Sequence, residues 1–360
     1  MKNRILNTLR TARTYTKNQY RYKSRTNAFK NRYKNIESSL FENKLPDDVI
    51  EAYIKKWKIL NFKVETDTFV LCYNLSGIID LNIVPENIFA AIIEPKLNKY
   101  KEHELGFFSV KNIYEKWFND PSIFPQTYLH KIDNIYYDQS FNIIKNLDSY
   151  IDQQFKDYIF PIVCKPSIGT FGGEGVETLY SLQEVKENIH SYDNLIFQEK
   201  IVQHKELDRI NPSINSIRSC LYREDSSSFK VLNNSIRFGV NGSFDNVSAG
   251  GIVCNINSDG MLNKYAVSRY CEKYNAHPNS EVRFSDIQIP KYNELIKCAE
   301  DIANQIPLCN LVSLDMCLDK EGKWRCIEVN LNGQTIRFRQ YAGHGFFGEY
   351  TEEVINKVLR

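Results

Sequence analysis

The chain has 360 residues, of which 42% are hydrophobic and 25% charged, ordinary proportions for a globular protein with a sizeable core and room for two or three modest domains. Its net charge of +2 balances 46 basic against 44 acidic residues, and no groove-reading motif accompanies the basic ones, so a nucleic-acid partner is not expected. No apolar run has the length of a membrane-spanning helix and the N-terminus lacks a signal-peptide core. The nine cysteines are odd in number and form no CxxC. They read as reduced, buried thiols of a cytoplasmic protein and not as a disulfide framework or zinc site.

The balance of charge is uneven along the chain. Residues 1–36 hold eleven Lys or Arg and no acid, which leaves a net −9 for the remainder. This stretch reads either as a solvated helical arm or as a docking surface for an anionic lipid or glycan precursor, peripheral to the inner membrane face. Beyond it, Leu45–Trp57 opens with Pro and acids and continues at helical spacing. Lys111–Phe118 is an amphipathic helix stopped by Asn119-Asp-Pro121, and an extended segment starts at Pro125. From Ile159 the texture changes: Ile159–Lys165 and Leu195–Glu199 are strand-like, and Ser181–His190 is a short helix with Ser181 as N-cap and Glu184 three residues on. Ile214–Tyr222 and Phe229–Phe238 alternate as an antiparallel pair. Pro290–Ile306 carries one apolar helical stripe.

The chain closes on two apolar runs, Leu311–Leu318 and Trp324–Asn330, around a turn-like Asp319-Lys-Glu-Gly-Lys323. In the resulting hairpin Glu328 and Asn330 share a face, since side chains two apart point the same way, and Asp315 can join them across the pair. Three oxygen ligands on a rigid hairpin suit Mg²⁺. Upstream, Lys165 ends a strand and Gly169, Gly172, Gly173 and Gly175 fill the next ten positions. Such a loop lets backbone N–H groups approach phosphate oxygens, with the lysine as a compact positive charge beside them. The pattern is neither a Walker A loop nor GxGxxG; on composition alone it also fits a hairpin tip. Glu199 and Ile201 end a strand that could face an adenine edge, with Glu206 further on as a ribose ligand. Arg218 and Arg237 on neighbouring strands would make a cationic floor suited to phosphate or carboxylate. Taken singly, they equally fit a surface pair.

In this order the motifs resemble the ATP-grasp superfamily, over about residues 111–350. Glu206 lies seven after Glu199 and Asp315 thirteen before Glu328, as in the ligases of that superfamily that join two D-alanines. Asn215-Ser-Ile-Arg218 and Asp245-Asn-Val-Ser-Ala-Gly-Gly251 are similar to its branch associated with sugar transfer and polysaccharide clusters. The resemblance implies an α+β fold: two subdomains clamping ATP, preceded by a small N-terminal α/β or helical region. It divides the chain into a basic arm (1–40), an N-terminal region (41–110), a first subdomain with the glycine loop (111–200) and a second with the metal hairpin (201–360). It implies ATP and Mg²⁺ as cofactors. Lys165, with the glycine loop, would meet the phosphates, Glu199, Ile201 and Glu206 the nucleoside, and Asp315, Glu328 and Asn330 the metal. Arg218, Lys165 and Arg237 would be the catalytic cations. Lys111 would be the first nucleotide-binding lysine, with Lys131 as its rival. Gly250, Gly251, Arg337 and Gln340 are candidates for the substrate; His344 fits a surface loop better. The implied activity is a carboxylate–amine ligase, joining an amino acid or amine to a sugar acid in surface polysaccharide biosynthesis, as a possible homodimer. The alternatives are a kinase for a sugar or small molecule on the same fold, and a non-catalytic glycan-binding or scaffold protein.

Overall fold

The computed structural model describes residues 2–99, 106–156, 159–169, 173–224, 227–242, 247 and 250–360, with side chains from residue 13. Mixed helix and sheet follow a helical N-terminal region, so the architecture is α+β, as expected. The basic stretch is one helix, α1 (Lys2–Tyr33). Its second half packs on the body: the Tyr22 ring lies tilted against Phe62, and Arg32 pairs with the buried Glu86. Next come α2 (Asp47–Lys58) and α3 (Asp67–Ser76), the latter closed by Gly77 in the left-handed region at φ 75°. A buried helical run from Glu86 to Leu97 follows, with a π turn at Phe89–Ile93.

Two antiparallel sheets follow. The first contains β1 (Thr127–Ile132), β2 (Ile135–Tyr137), β3 (Ile162–Pro166), β4 (Glu177–Leu179) and β5 (Leu195–Glu199), in the order β2-β1-β5-β3-β4. The helices Leu147–Gln154 and Leu182–Asn188 cover it, with Ile151, Val185 and Phe197 in a small core. Ser181 caps the second helix by accepting from Glu184 N, while the Glu184 carboxylate accepts from Tyr180 N at 2.7 Å. The segment expected as one helix over Lys111–Phe118 is instead a 3-10 turn, Lys111–Ile113, followed by a single α turn, Tyr114–Trp117. Tyr114, Phe118 and Phe124 pack ring to ring there, and that burial bends the backbone away from a regular helix.

The second sheet contains β6 (Ile217–Arg223), β7 (Phe229–Phe238), β8 (Ile252–Ile256), β9 (Leu262–Val267), β10 (Lys273–Tyr274), β11 (Leu311–Leu318) and β12 (Trp324–Asn330), ordered β10-β9-β8-β7-β6-β11-β12. Both faces are covered. Ile217, Leu221 and Ile236 point to one core with Leu295, Ala299 and Ile302 of the helix Tyr292–Asn304. Cys220, Tyr222, Val253 and Leu311 point to a second core made with the N-terminal helices. By strand alternation Arg218 lies on this second face, two residues before Cys220. Asn98, fully buried, fixes the N-terminal region to the sheet. Its Nδ2 donates to Leu311 O and Leu331 O at 2.6 and 2.9 Å, and its Oδ1 accepts from Asn310 N and Leu311 N at 3.0 Å each.

Candidate active site

The central cluster is built by strand register. Asp315 on β11 stands directly opposite Arg218 on β6 and Glu328 on β12, and Ser313 opposite Asn330. A bulge after Asp315 shifts the register beyond it. Arg218 grips Asp315 with a two-pronged contact, Nε to Oδ1 at 2.8 Å and Nη2 to Oδ2 at 2.9 Å. Arg237 reaches the same carboxylate at 2.9 Å and also bonds Ser216 Oγ. Burial pushes the Asp315 carboxyl up, but Arg218 and Arg237 outweigh it and hold the group well below the ordinary carboxylate range.

Glu328 pairs with Lys111 at 2.9 Å. Lys111 N also donates to Ser167 O at 3.2 Å, which sets the start of the 3-10 turn against the loop after β3. Lys165, only 6% exposed, lies within the field of both Lys111 and Glu328. Burial first, then Lys111, pushes its ammonium down to about 8, against the pull of Glu328. Four cations, Lys111, Lys165, Arg218 and Arg237, thus converge on two acids, Asp315 and Glu328. The surplus of positive charge suits a polyanion such as a nucleotide triphosphate chain. The rival Lys131 stands apart, buried in β1 with its Nζ on Ile189 O at 3.0 Å.

The donor set fits a hard cation. Asn330 has a buried Nδ2 with no hydrogen-bond partner, and rotating the amide by half a turn puts its oxygen there instead. Two carboxylates and an amide oxygen suit Mg²⁺ completed by phosphate and water. Among the described residues no group of three His, Cys, Asp or Glu gathers for a metal.

Around this cluster the remaining candidates fall into place unevenly. Gly169, Gly173 and Gly175 all have positive φ, between 70° and 85°; Gly172 lies outside the described residues. The Glu199 carboxylate accepts from Gln126 N at 2.9 Å and pairs with Arg325, whose Nη1 lies 3.4 Å from Asp319. Arg325 had no signal in the sequence beyond its place on β12. Half-buried Ile201 lies in a linker laced to the hairpin through His204 N to Leu318 O and Lys320 N to Val202 O. Glu206 is exposed, and its carboxylate pairs with Arg209 at 3.4 Å, a contact too solvated to hold it.

The substrate candidates stand in different surroundings. Gln340 is fully buried, and its amide serves the backbone of Val84 and Phe346; it braces the N-terminal region and faces no open site. Arg337 stacks over Phe338. Gly250 and Gly251 line a different cavity of about 250 Å³ beside Ser268 and Tyr270. His344 is half-buried, and burial and Arg339 lower its pKa.

Comparison with known proteins agrees with the sequence reading. The class is an α+β protein of ATP-grasp type. Residues 176–354 match the sugar-transfer associated ATP-grasp family. No curated protein matches the sequence. Solved structures similar to it include an L-amino acid ligase from Bacillus licheniformis (13% identity, 66% of this chain and 41% of that one, TM-score 0.35). Others are D-alanyl-alanine synthetase A from Vibrio cholerae (13%, 70% and 67%, 0.41) and VanG D-Ala:D-Ser ligase from Enterococcus faecalis (14%, 73% and 61%, 0.38). The chain spans under half the length of the Bacillus protein.

Proposed function

We propose that this protein is an ATP-dependent carboxylate–amine ligase that joins an amino acid or amine to a sugar acid, in the assembly of a surface polysaccharide. The observation that carries the reading is the single sheet face on which Arg218 and Arg237 share Asp315 while Lys111 and Lys165 adjoin Glu328. The match to a sugar-transfer associated family supports the substrate class.

Mg²⁺ held by Asp315, Glu328 and Asn330 would supply Lewis-acid charge to the phosphates. Lys111 and Lys165 bind and orient the phosphate chain. Arg218 and Arg237, two guanidinium groups with one carboxylate between them, stabilise charge on the transferring phosphoryl group and then on the acyl carbonyl oxygen. In the first step a carboxylate oxygen of the acid bonds to the γ-phosphorus as the bond to ADP breaks. In the second the amine nitrogen bonds to the acyl carbon, phosphate leaves, and the nitrogen loses a proton to solvent. No protein nucleophile is required. The nine cysteines are free, and most are buried, away from such a role.

ADP release assayed over a panel of sugar acids, with and without amines, tests the reading. It predicts release that depends on both substrates and falls by about 100-fold or more in Glu328→Ala, the scale of losing one charge-stabilising group. Release supported by an acceptor hydroxyl without any amine would make the protein a kinase. The basic helix α1, with Arg13, Lys17, Lys23 and Arg25 exposed, is suited to hold the enzyme at an anionic surface where glycan precursors are anchored.

A further inference from the structure

The face that carries Arg218 extends beyond the cation–acid cluster. Five residues stand in register across five neighbouring strands: Glu328 on β12, Asp315 on β11, Arg218 on β6, Ser235 on β7 and Asn255 on β8. The last two have no part in the cluster, yet they are polar, only 2% and 3% exposed, and joined to each other. Asn255 Nδ2 donates to Asn234 O at 3.1 Å and to Ser235 Oγ at 3.3 Å. With its nitrogen so engaged, the amide presents Oδ1, which accepts from Arg339 Nη1 at 2.7 Å.

Arg339 comes from the one-turn helix Arg337–Gln340, and the three polar residues of that turn part ways. Gln340 braces Val84, Arg337 lies over Phe338, and Arg339 alone reaches the sheet. Its guanidinium is half-buried, and that burial lowers its pKa. No ion pair to it exists among the described residues. Asp80 acts on it only through space, while the oxygens of that carboxylate accept from Asn82 N and Gly345 N. The pKa of His344, in the same surroundings, is lowered by burial and by Arg339. A desolvated guanidinium seated on a neutral amide, without a counter-charge, is poor packing but a good receptor for an oxyanion. Asn255 lies two strand spacings from Arg218, about 10 Å across the sheet, which is the reach of one small substrate.

We infer that Arg339, seated on Asn255, binds an oxyanion of the substrate, a carboxylate or phosphate ester other than the carboxyl group that is activated at Arg218. The polar row Arg218–Ser235–Asn255 is then the floor on which the substrate lies. The substrates of this enzyme accordingly carry a second anionic group, and a plain monoacid and monoamine bind poorly. This rests on the ligase reading, since it takes Arg218 as the reacting end.

The test uses the full chain saturated with Mg²⁺ and a non-hydrolysable ATP analogue, titrated calorimetrically with succinate and, separately, with inorganic phosphate. Binding of either by the wild type, weakened at least tenfold in Arg339→Ala and partly restored in Arg339→Lys, is the expected result; the stronger of the two probes identifies the oxyanion. Thermal melting of the variants checks that they are folded, and Asn255→Asp, which gives Arg339 a permanent counter-charge, should weaken binding as well. Affinity for both probes unchanged in folded Arg339→Ala, or no binding of either probe by the wild type, overturns the inference. If the ATP analogue itself fails to bind, the ligase reading fails, and titration of the nucleotide-free chain still decides whether Arg339 is an anion site.

Discussion

Lys165 shows how a single residue can be tuned by its neighbours. In the nucleotide-free protein its ammonium is pushed down to about 8 by burial and by Lys111. A bound polyphosphate would reverse the balance and restore the proton. At pH 8.5 nucleotide binding should therefore take up roughly three-quarters of a proton, read as a difference in binding heat between buffers of unlike ionisation enthalpy. Heats independent of buffer would remove Lys165 from the phosphate site. The same shift has a sign for stability. Below about 8 both folded and unfolded chains carry the proton, and the burial penalty is full. As pH rises from there toward the ordinary value of 10.5 the unfolded chain holds the proton longer, so this residue makes folding more favourable with pH. Asp315 has the same sign in an acidic range: its two arginines favour the charged form, and the stability this gives is lost as pH falls below the ordinary carboxylate value of 3.8.

Among the elements, the glycine loop and the connections of the hairpin carry the positional load. At Gly175 the backbone has φ +70°, and a Cβ there would come within 2.8 Å of Pro166 Cγ and 2.9 Å of Tyr192 Oη. Gly175→Ala should cost about 1–3 kcal/mol through backbone strain and crowding, visible as a lower melting temperature together with weaker nucleotide binding. An unchanged melting temperature would mean that the loop relaxes freely. Asn98 holds the N-terminal region to both β11 and the chain after β12. Asn98→Ala leaves buried backbone groups unpaired and should cost about 3 kcal/mol, measured by urea unfolding; a loss under about 1 kcal/mol would show that water replaces the amide. The elements themselves were mostly legible in the residues. The closing hairpin, the helix at Tyr292–Asn304 and the Ser181 cap follow from alternation, helical spacing and cap chemistry. The helix expected at Lys111–Phe118 was not, because three aromatic residues packing on one another decide its backbone.

For the whole molecule the charge asymmetry is spatial as well as sequential. The basic helix α1 is anchored by Tyr22, Arg32 and Tyr33, so removing residues 1–36 would strip part of the core. Replacing the exposed Arg13, Lys17, Lys23 and Arg25 by Gln leaves those anchors in place. Such a variant should lose most of its binding to vesicles rich in anionic lipid, at about 1 kcal/mol per charge, with its melting temperature kept; binding equal to wild type would end the docking proposal. Among the described residues no helix is long and apolar enough to cross a membrane.

Strand alternation determined, from the sequence by itself, that Asp315, Glu328 and Asn330 would share a face, and the order of motifs that a lysine with a glycine loop would precede them. These are local properties, fixed by the period of a strand and by the chemistry of each side chain. Only the tertiary structure decided which lysine joins them, since Lys111 and Lys131 differ in nothing but where the chain carries them. It also decided that Gln340 is a brace and that Arg339 is seated on Asn255 of the sheet. Partners that lie two hundred residues apart are chosen by packing, and packing leaves no periodic trace in the sequence.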